Sequence, residues 1–418
     1  MRTPIFKLLL ISLVLVGCTN TSVLNNNTSD INIENILELL SNENYEQILE
    51  LSDDNLKAVL TVDALDNIFS KYSKPYEIID IKTQDIDNDH VNTISIKQDG
   101  FTLVLTISLS NTNIIGLYYK EITDLLESDT IIEEELDIGS ESYPIIGRLM
   151  KPNNQKEYPL VIIVGGSGPT GMDGTVGEIN TYHKLATELA NNNIASIRYD
   201  KRTKNYQPLT LDNLLDFEYV DDLEYIIDYA NTLEEVNEVI LLGHSQGGMV
   251  IPYLTSYNSI DKMILMNSTP KEFEDLIYTQ NLESLETLEM DDKETTLLYI
   301  EDEYQKAKHA IDDHEALAFT LPLSYYNDLH VITDDKYLLN NELPTLVCNG
   351  LKDFQVNNNN GSKAYIDLLD NKDNYIFKTY DNLNHLMTLS DIQTLEDYNT
   401  NKELDKEFIN DIVEFIKK

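Results

Sequence analysis

Between about residues 158 and 380, short apolar runs recur at intervals too long for hairpins. They are Leu160–Val164, Ile194–Tyr199, Val239–Leu242, Met263–Met266, Thr345–Cys348 and Tyr375–Tyr380. Stretches with helical patterning accompany them, at 179–192, 217–233, 247–257, 362–370 and 403–417. A run that is apolar at every position is a strand buried on both faces. Its alternation with helices predicts an α/β architecture with a mostly parallel sheet and helices on both faces. "TIIEEELDI" and "YPIIGRLMKP" read as an antiparallel pair leading into it. One connection breaks the rhythm. Residues 267–343 are acidic and helical in pattern, ending in "LPLSYYNDLH". A connection this long carries its own structure, and the expectation is a helical cap over a site.

Upstream, the order of patterns is reversed. Ile31, Ile33, Ile36, Leu37 and Leu40, then Tyr45, Ile48 and Leu49, mark helices. A third helix is expected from Asp53 to about Tyr72, capped by Asp53 or Asp54. "YEIIDIKT", "HVNTISIKQ", "FTLVLTISLS" and "NIIGLYYKEI" then read as strands separated by turn residues. Helices followed by a meander predict a small α+β domain over 31–122, ahead of a larger domain over 130–418. In "DIDNDH", Asp85, Asp87 and Asp89 alternate as in a calcium loop. The glycine and glutamate that such a loop needs are replaced by His90 and Ile96, so a hairpin turn is the better reading.

The first residues, "MRTPIFKLLLISLVLVGC", place Arg2 and Lys7 before an apolar run from Leu8 to Val16. The run is too short for a permanent span and fits an export signal. Its end, Leu15-Val16-Gly17-Cys18, resembles the lipobox of bacterial lipoproteins. Within this segment, 1–18, the resemblance implies a diacylglyceryl group on Cys18, cleavage just ahead of it so that Cys18 becomes the mature N-terminus, and residence on the outer face of the cytoplasmic membrane. Two acyl chains suffice for stable anchoring. The polar stretch 19–30 reads as a flexible tether. With 73 acidic against 30 basic residues, the net charge is −43. Such a surface repels nucleic acid and anionic lipid, so neither is expected as a charge-driven partner. Cys348, the other cysteine, lies in the apolar "PTLVCNG" and reads as a small buried hydrophobe.

The chemistry concentrates in "VILLGHSQGGMVIP", residues 239–252. An apolar strand runs into Gly243-His244-Ser245-Gln246-Gly247, and a helix follows. Strand, glycine-flanked serine and helix make the sharp turn that presents a nucleophile. The competing reading is a structural glycine corner. A serine needs a base. His90 belongs to the first domain, His183 to a helix, and His309, His314 and His330 to the cap. His244 adjoins Ser245 and cannot easily turn back on it. His385, in "YDNLNHLMTL", follows the last strand and fits the order serine, acid, histidine. For the orienting acid, "PTLVCNGLKDFQV" places Asp353 in a loop past a buried strand. It is favoured on chain position over Asp381. The other common place, after the preceding strand, holds Asn267 and Ser268. Oxyanion donors are expected from the amide of Gln246 and from Ser167 or Gly166 in "GGSGPTGMDGT". That loop also matches a dinucleotide fingerprint at Gly166, Gly168 and Gly171. Pro169 and the later start of the helix, near Glu178, argue against it. No metal or cofactor is implied.

Residues of about 130–418 resemble the α/β-hydrolase superfamily, in particular bacterial esterases and serine aminopeptidase-like hydrolases. "VIIVGGSGP", "IASIRYDKRT", "GHSQGG", "LPLSYYNDL", "NGLKDFQV" and "NLNHLM" carry the likeness. It implies Ser245 as nucleophile, Asp353 as acid and His385 as base. Gly165 departs from relatives that have histidine there. The N-terminal domain resembles, at the level of fold, a helix-then-sheet domain that precedes the hydrolase domain in some bacterial lipoproteins. The expected activity is hydrolysis of small acyl esters through an acyl-enzyme. A peptidase acting on short peptides is the alternative, and a non-catalytic binding lipoprotein is the rival from another class. Tyr325 and Tyr326 are read as pocket-lining residues or, equally, as aromatics of the cap core.

Overall fold

A computed structural model describes residues 32–86, 89–110, 112–139, 143–206, 214–256, 259–287 and 293–418. The export signal, Cys18, the tether and Asp87 lie outside the described residues. The chain divides into two units, Met1–Asp124 and Leu125–Lys418.

In the first unit, helices α1 (Ile33–Ser41), α2 (Tyr45–Leu51), α3 (Asp54–Val59) and α4 (Val62–Phe69) precede strands β1 (Glu77–Ile86), β2 (Asp89–Lys97), β3 (Phe101–Leu109) and β4 (Ile114–Thr123). The strands form an antiparallel meander in sequence order. Ile36, Leu40, Ile48, Leu65 and Phe69 from the helices pack with Ile94, Ile96, Leu103, Leu105 and Ile107 from one face of the sheet. The single helix expected from Asp53 to Tyr72 is two. Leu60 is extended (φ −107°, ψ 134°), and Thr61 caps a new helix by accepting from the Ala64 amide. An apolar period carried across the break conceals it in the sequence; the Thr61 cap is its one local sign.

In the second unit the order is β5 (Ile131–Gly139), β6 (Pro144–Pro152), β7 (Tyr158–Val164), β8 (Thr175–Val176), β9 (Ile179–Asn180), α5 (Thr181–Asn191), β10 (Ala195–Tyr199), α6 (Arg202–Asn205), α7 (Asp221–Thr232), β11 (Val236–His244), α8 (Gln246–Thr255) and β12 (Lys262–Met266). A π-helical turn, Asp216–Val220, runs directly into α7. The cap follows as α9 (Phe273–Thr287), α10 (Lys293–Lys308), β13 (Leu317–Ala318), β14 (Leu321–Pro322), α11 (Leu323–Ile332) and α12 (Lys336–Leu339). Then come β15 (Thr345–Gly350), α13 (Ser362–Leu369), β16 (Tyr375–Tyr380) and α14 (Lys406–Ile416).

Eight of these strands form one sheet, in the order β16-β15-β12-β11-β7-β10-β6-β5. Pairing is parallel from β16 to β10 and antiparallel from β10 to β5. Every residue of β10, β12 and β15 is buried, which is why these strands read as unbroken apolar runs. One apolar cluster joins the sheet to α7, α8 and the cap, and a second joins it to α5 and α14. The chain leaves β7 toward β10 on one side and leaves β11 toward β12 on the other. A crevice therefore opens above the C-terminal ends of β7 and β11, the usual place for a site in such a sheet. Among the described residues, no helix is long and apolar enough to cross a membrane.

Candidate active site

Ser245 sits between the last residue of β11 and the first of α8, with φ 54° and ψ −123°. A non-glycine residue in the left-handed region is strained and persists only where its surroundings fix it. Here the Ser245 amide donates to Met266 O at 3.0 Å, and Gly248 N donates back to Ser245 O at 3.0 Å. The flanking glycines permit the turn. A β-carbon on Gly247 would lie 2.4 Å from Val164 O, and one on Gly243 would lie 2.5 Å from the Gly248 backbone. Ser245 itself is half-buried, at the mouth of the crevice.

His385 and Asp353 arrive from the loops after β16 and β15. His385 Nδ1 and Asp353 Oδ2 are 2.6 Å apart, both residues buried. Asp353 Oδ1 accepts from the amides of Gln355 and Val356 at 2.7 and 2.8 Å, which fixes the carboxylate plane. Asp381 is exposed, and the carboxylate on the His385 ring is that of Asp353. The arrangement leaves His385 Nε2 as the ring nitrogen free of the carboxylate and able to exchange a proton with a hydroxyl.

The loop after β7 closes the other side. A β-carbon on Gly166 would come 3.1 Å from Ser245 Cβ and 3.6 Å from its Oγ, so the Gly166 backbone lies directly against the serine. The Gly166 amide donates to Tyr182 Oη at 3.2 Å. That removes Gly166 from the candidate oxyanion donors, a correction the sequence could not supply because Tyr182 is on another element. Ser167 is exposed on the same loop, and the Gln246 amide belongs to the first turn of α8, where amides have no helical partner. The dinucleotide reading fails structurally. After the glycine loop come β8 and β9, and α5 begins only at Thr181.

Several residues to which the sequence assigns no role complete the site. His244 is buried beneath Ser245. Its Nε2 lies 2.9 Å from His385 O, and its Nδ1 lies 2.8 Å from Tyr182 Oη. A carbonyl only accepts, so Nε2 carries the proton and Nδ1 accepts from the phenol. Burial, with the neighbouring His385, pushes the His244 pKa well below the usual histidine range, so the ring is neutral. A continuous chain therefore runs from Gly166 N–H through Tyr182 and His244 to the backbone of His385. Asn267, at φ 45°, uses its amide in the same way. Nδ2 donates to Asn384 O at 3.0 Å and to His385 O at 2.9 Å, and Oδ1 accepts from Gly350 N at 2.7 Å. The position where an acid was conceivable thus holds a neutral brace. Asn384 Oδ1 accepts from the Leu386 and Thr388 amides, shaping the histidine loop.

Tyr325 and Tyr326 do not line open space. They are 3% and 0% exposed, and their hydroxyls are engaged. Tyr325 Oη donates to Glu218 Oε2 at 3.0 Å and lies 3.2 Å from Gln246 Oε1; Tyr326 Oη donates to Ala318 O at 3.1 Å. The pocket-lining expectation gives way to the cap-core reading. Cys348 is buried within β15, and burial pushes its thiol up to about 12.

The sheet order, the strained serine corner and the histidine–carboxylate pair define an α/β-hydrolase. The family model described as "Serine aminopeptidase, S33" matches residues 171–391, and the chain belongs to that family of hydrolases. Esterase EstD of Thermotoga maritima is 25% identical over 399 residues, covering 91% of this chain and 93% of its own. Among solved structures, Est1E from Butyrivibrio proteoclasticus is 20% identical. It covers 68% of this chain and 99% of its own, with a TM-score of 0.44. The Pyrococcus horikoshii acylaminoacyl peptidase is 14% identical and covers 82% of this chain and 56% of its own, with a TM-score of 0.45.

Proposed function

We propose that the chain hydrolyses carboxylic esters through a Ser245–His385–Asp353 triad and an acyl-enzyme. The observation that carries the reading is the 2.6 Å pair of His385 Nδ1 and Asp353 Oδ2, brought to the crevice that holds the strained Ser245. His385 Nε2 takes the proton of Ser245 Oγ as the oxygen attacks the acyl carbonyl. The amides of Gln246 and Ser167 receive the oxyanion. His385 then passes the proton to the leaving alkoxide, and a water that it deprotonates releases the acid. Asp353 holds the ring in the productive tautomer throughout.

The full-length likeness to an esterase favours an ester substrate, while the family description favours an aminopeptidase as second reading. A fluorophosphonate probe tests the nucleophile: wild type is expected to label and Ser245→Ala is not. Equal labelling overturns the triad. A panel of p-nitrophenyl esters and aminoacyl p-nitroanilides then separates the two substrates, and turnover of the anilides alone overturns the ester reading. We further propose lipidation of Cys18, with anchoring to the outer face of the cytoplasmic membrane. Replacement of Cys18 by serine is expected to abolish partition into detergent, and unchanged partition rejects the anchor.

A further inference from the structure

Lys201, just after β10, carries its ammonium into the interior beside the crevice and is 1% exposed. Nζ donates to Gly166 O at 2.5 Å and to Gly168 O at 3.0 Å. It also lies 3.8 Å above the Tyr219 ring. Tyr219, from the π-helical turn, donates its own hydroxyl to Gly166 O at 2.9 Å. One carbonyl thus receives an ammonium and a phenol. That carbonyl belongs to the peptide group whose other end is the Ser167 N–H.

We propose that Lys201 is a positioning residue of the oxyanion hole: its ammonium, together with Tyr219 Oη, polarises the Gly166–Ser167 peptide and strengthens the Ser167 N–H as a donor to the oxyanion. The inference rests on the reading of Ser167 as an oxyanion donor. A cation on a peptide oxygen draws electron density along the conjugated group, and bonded chains of this kind strengthen one another. The same charge stands one peptide group from the place where negative charge develops, in an interior that screens it poorly.

A mere clamp explains less. The loop is already held by Tyr182 at Gly166 N, by the Lys201 amide at Thr170 O, by Asp200 at Met172 N and by Tyr182 N at Asp173 O. Burying an ammonium is costly and a clamp does not need one. Nor is the ammonium closely neutralised. The carboxylates facing it are Glu218, 4.0 Å away, and Asp222. Glu218 is shared with Tyr325 Oη and Thr203 Oγ1, and Asp222 is engaged by Arg202. Burial pushes the Lys201 pKa down to about 8, against the upward pull of Glu218 and Asp222.

The proton count agrees. Tyr219 has one proton, and its oxygen lies 2.9 Å from both Gly166 O and the Gln246 side-chain amide. Burial keeps Tyr219 and Tyr325 protonated. Gln246 Nε2, buried, has no partner when its oxygen faces the two phenols. Turning the amide NH2 toward them lets both phenols accept from Gln246. Tyr219 then gives its proton to Gly166 O and Tyr325 gives its own to Glu218.

The test uses the full chain with p-nitrophenyl butyrate and an alkyl trifluoromethyl ketone, whose adduct with serine carries an oxyanion. Lys201→Met is expected to lower kcat by roughly 10–100-fold and to weaken the ketone by the same factor, with KM changed less than about 2-fold. Wild-type kcat is expected to fall above about pH 8 as the ammonium loses its proton, and the variant is expected to lack that limb. Tyr219→Phe, which keeps the charge, is expected to lose about 3–10-fold and retain the limb. If Lys201→Met does not fold, Tyr219→Phe decides, and a ketone affinity unchanged from wild type in that variant overturns the proposal. Unchanged kcat in Lys201→Met overturns it alone. Absence of Ser245-dependent turnover in wild type overturns the functional reading and this inference with it.

Discussion

The loops around Ser245 are stitched by buried polar groups, whereas the cap between β12 and β15 is held by apolar packing below and charge pairs above. Gly166, His385, Asp353 and Gly350 each have a backbone or carboxylate position fixed by a neighbour from a different loop or element. In the cap, Phe273, Tyr326, Leu329 and Ile332 pack into the main core. Its outer helices α9 and α10 meet through the stacked rings of Tyr278 and Tyr304 and through Lys308 with Asp275, and Lys306 pairs along α10 with Asp302 and Glu303. Hydrogen bonds specify position to a few tenths of an ångström, and apolar contacts tolerate repacking. The chain uses the first where atoms must meet and the second where only coverage is needed.

The sharpest test of that contrast is Asp353→Asn, expected to lower kcat/KM by roughly 10³–10⁴-fold with the fold intact by circular dichroism. A loss below tenfold would break the comparison at its centre. His244→Ala is expected to cost about 10–100-fold in kcat, since it frees both the glycine loop and the His385 backbone. It should also lose about 1–3 kcal/mol in denaturant titration, because the Tyr182 hydroxyl is left without its acceptor. Asn267→Gly keeps the positive φ but removes the brace, with an expected loss near tenfold. His385 O accepts from both His244 and Asn267, so their double variant should be non-additive.

Effects in the cap should be smaller. The hydrogen bond to Glu274 raises the His330 pKa. A raised histidine contributes stability that is fully present below its ordinary pKa and is lost as pH rises through the folded value. Thermal unfolding should therefore show a modest loss of stability on going from pH 6 toward 8, absent in His330→Ala. Lys306→Ala, at a half-exposed pair, should change stability by less than about 1 kcal/mol and kcat/KM by less than about 2-fold. Equal sensitivity of cap and loops would erase the distinction.

The same contrast explains what the sequence disclosed. The mostly parallel sheet was legible because buried strands are apolar at every position. Ser245, Asp353 and His385 stood out because each follows a strand, in an order the sheet imposes. The sequence rules His244 out as the base and assigns it nothing else, since adjacency to Ser245 hides a ring that turns inward and meets residues 62 and 141 positions away. Tyr219 is equally silent, and Lys201 lies in "IASIRYDKRT" with no catalytic role assigned, because nothing local marks a phenol or an ammonium that shares a distant carbonyl. Tyr325 and Tyr326 carried too little pattern to distinguish lining from core. The break at Leu60 was masked by apolar spacing that either one helix or two would satisfy.

The seam at Asn267 has an evolutionary consequence. Met263 and Thr345 are hydrogen-bonded neighbours in the sheet, and the Asn267 amide donates to Cys348 O at 2.8 Å. The two strands are parallel, so the chain leaves for the cap at the C-terminal end of β12 and re-enters one strand length away, at the start of its neighbour β15. The sheet already fixes where that excursion closes, and doubling the length of such a loop costs only about 0.6 kcal/mol. Insertions of different size and shape can be exchanged at this junction while the serine, histidine and carboxylate stay in register. Lineages can diversify what they admit to the crevice by rewriting one interval of the gene, leaving the rest of the molecule unedited.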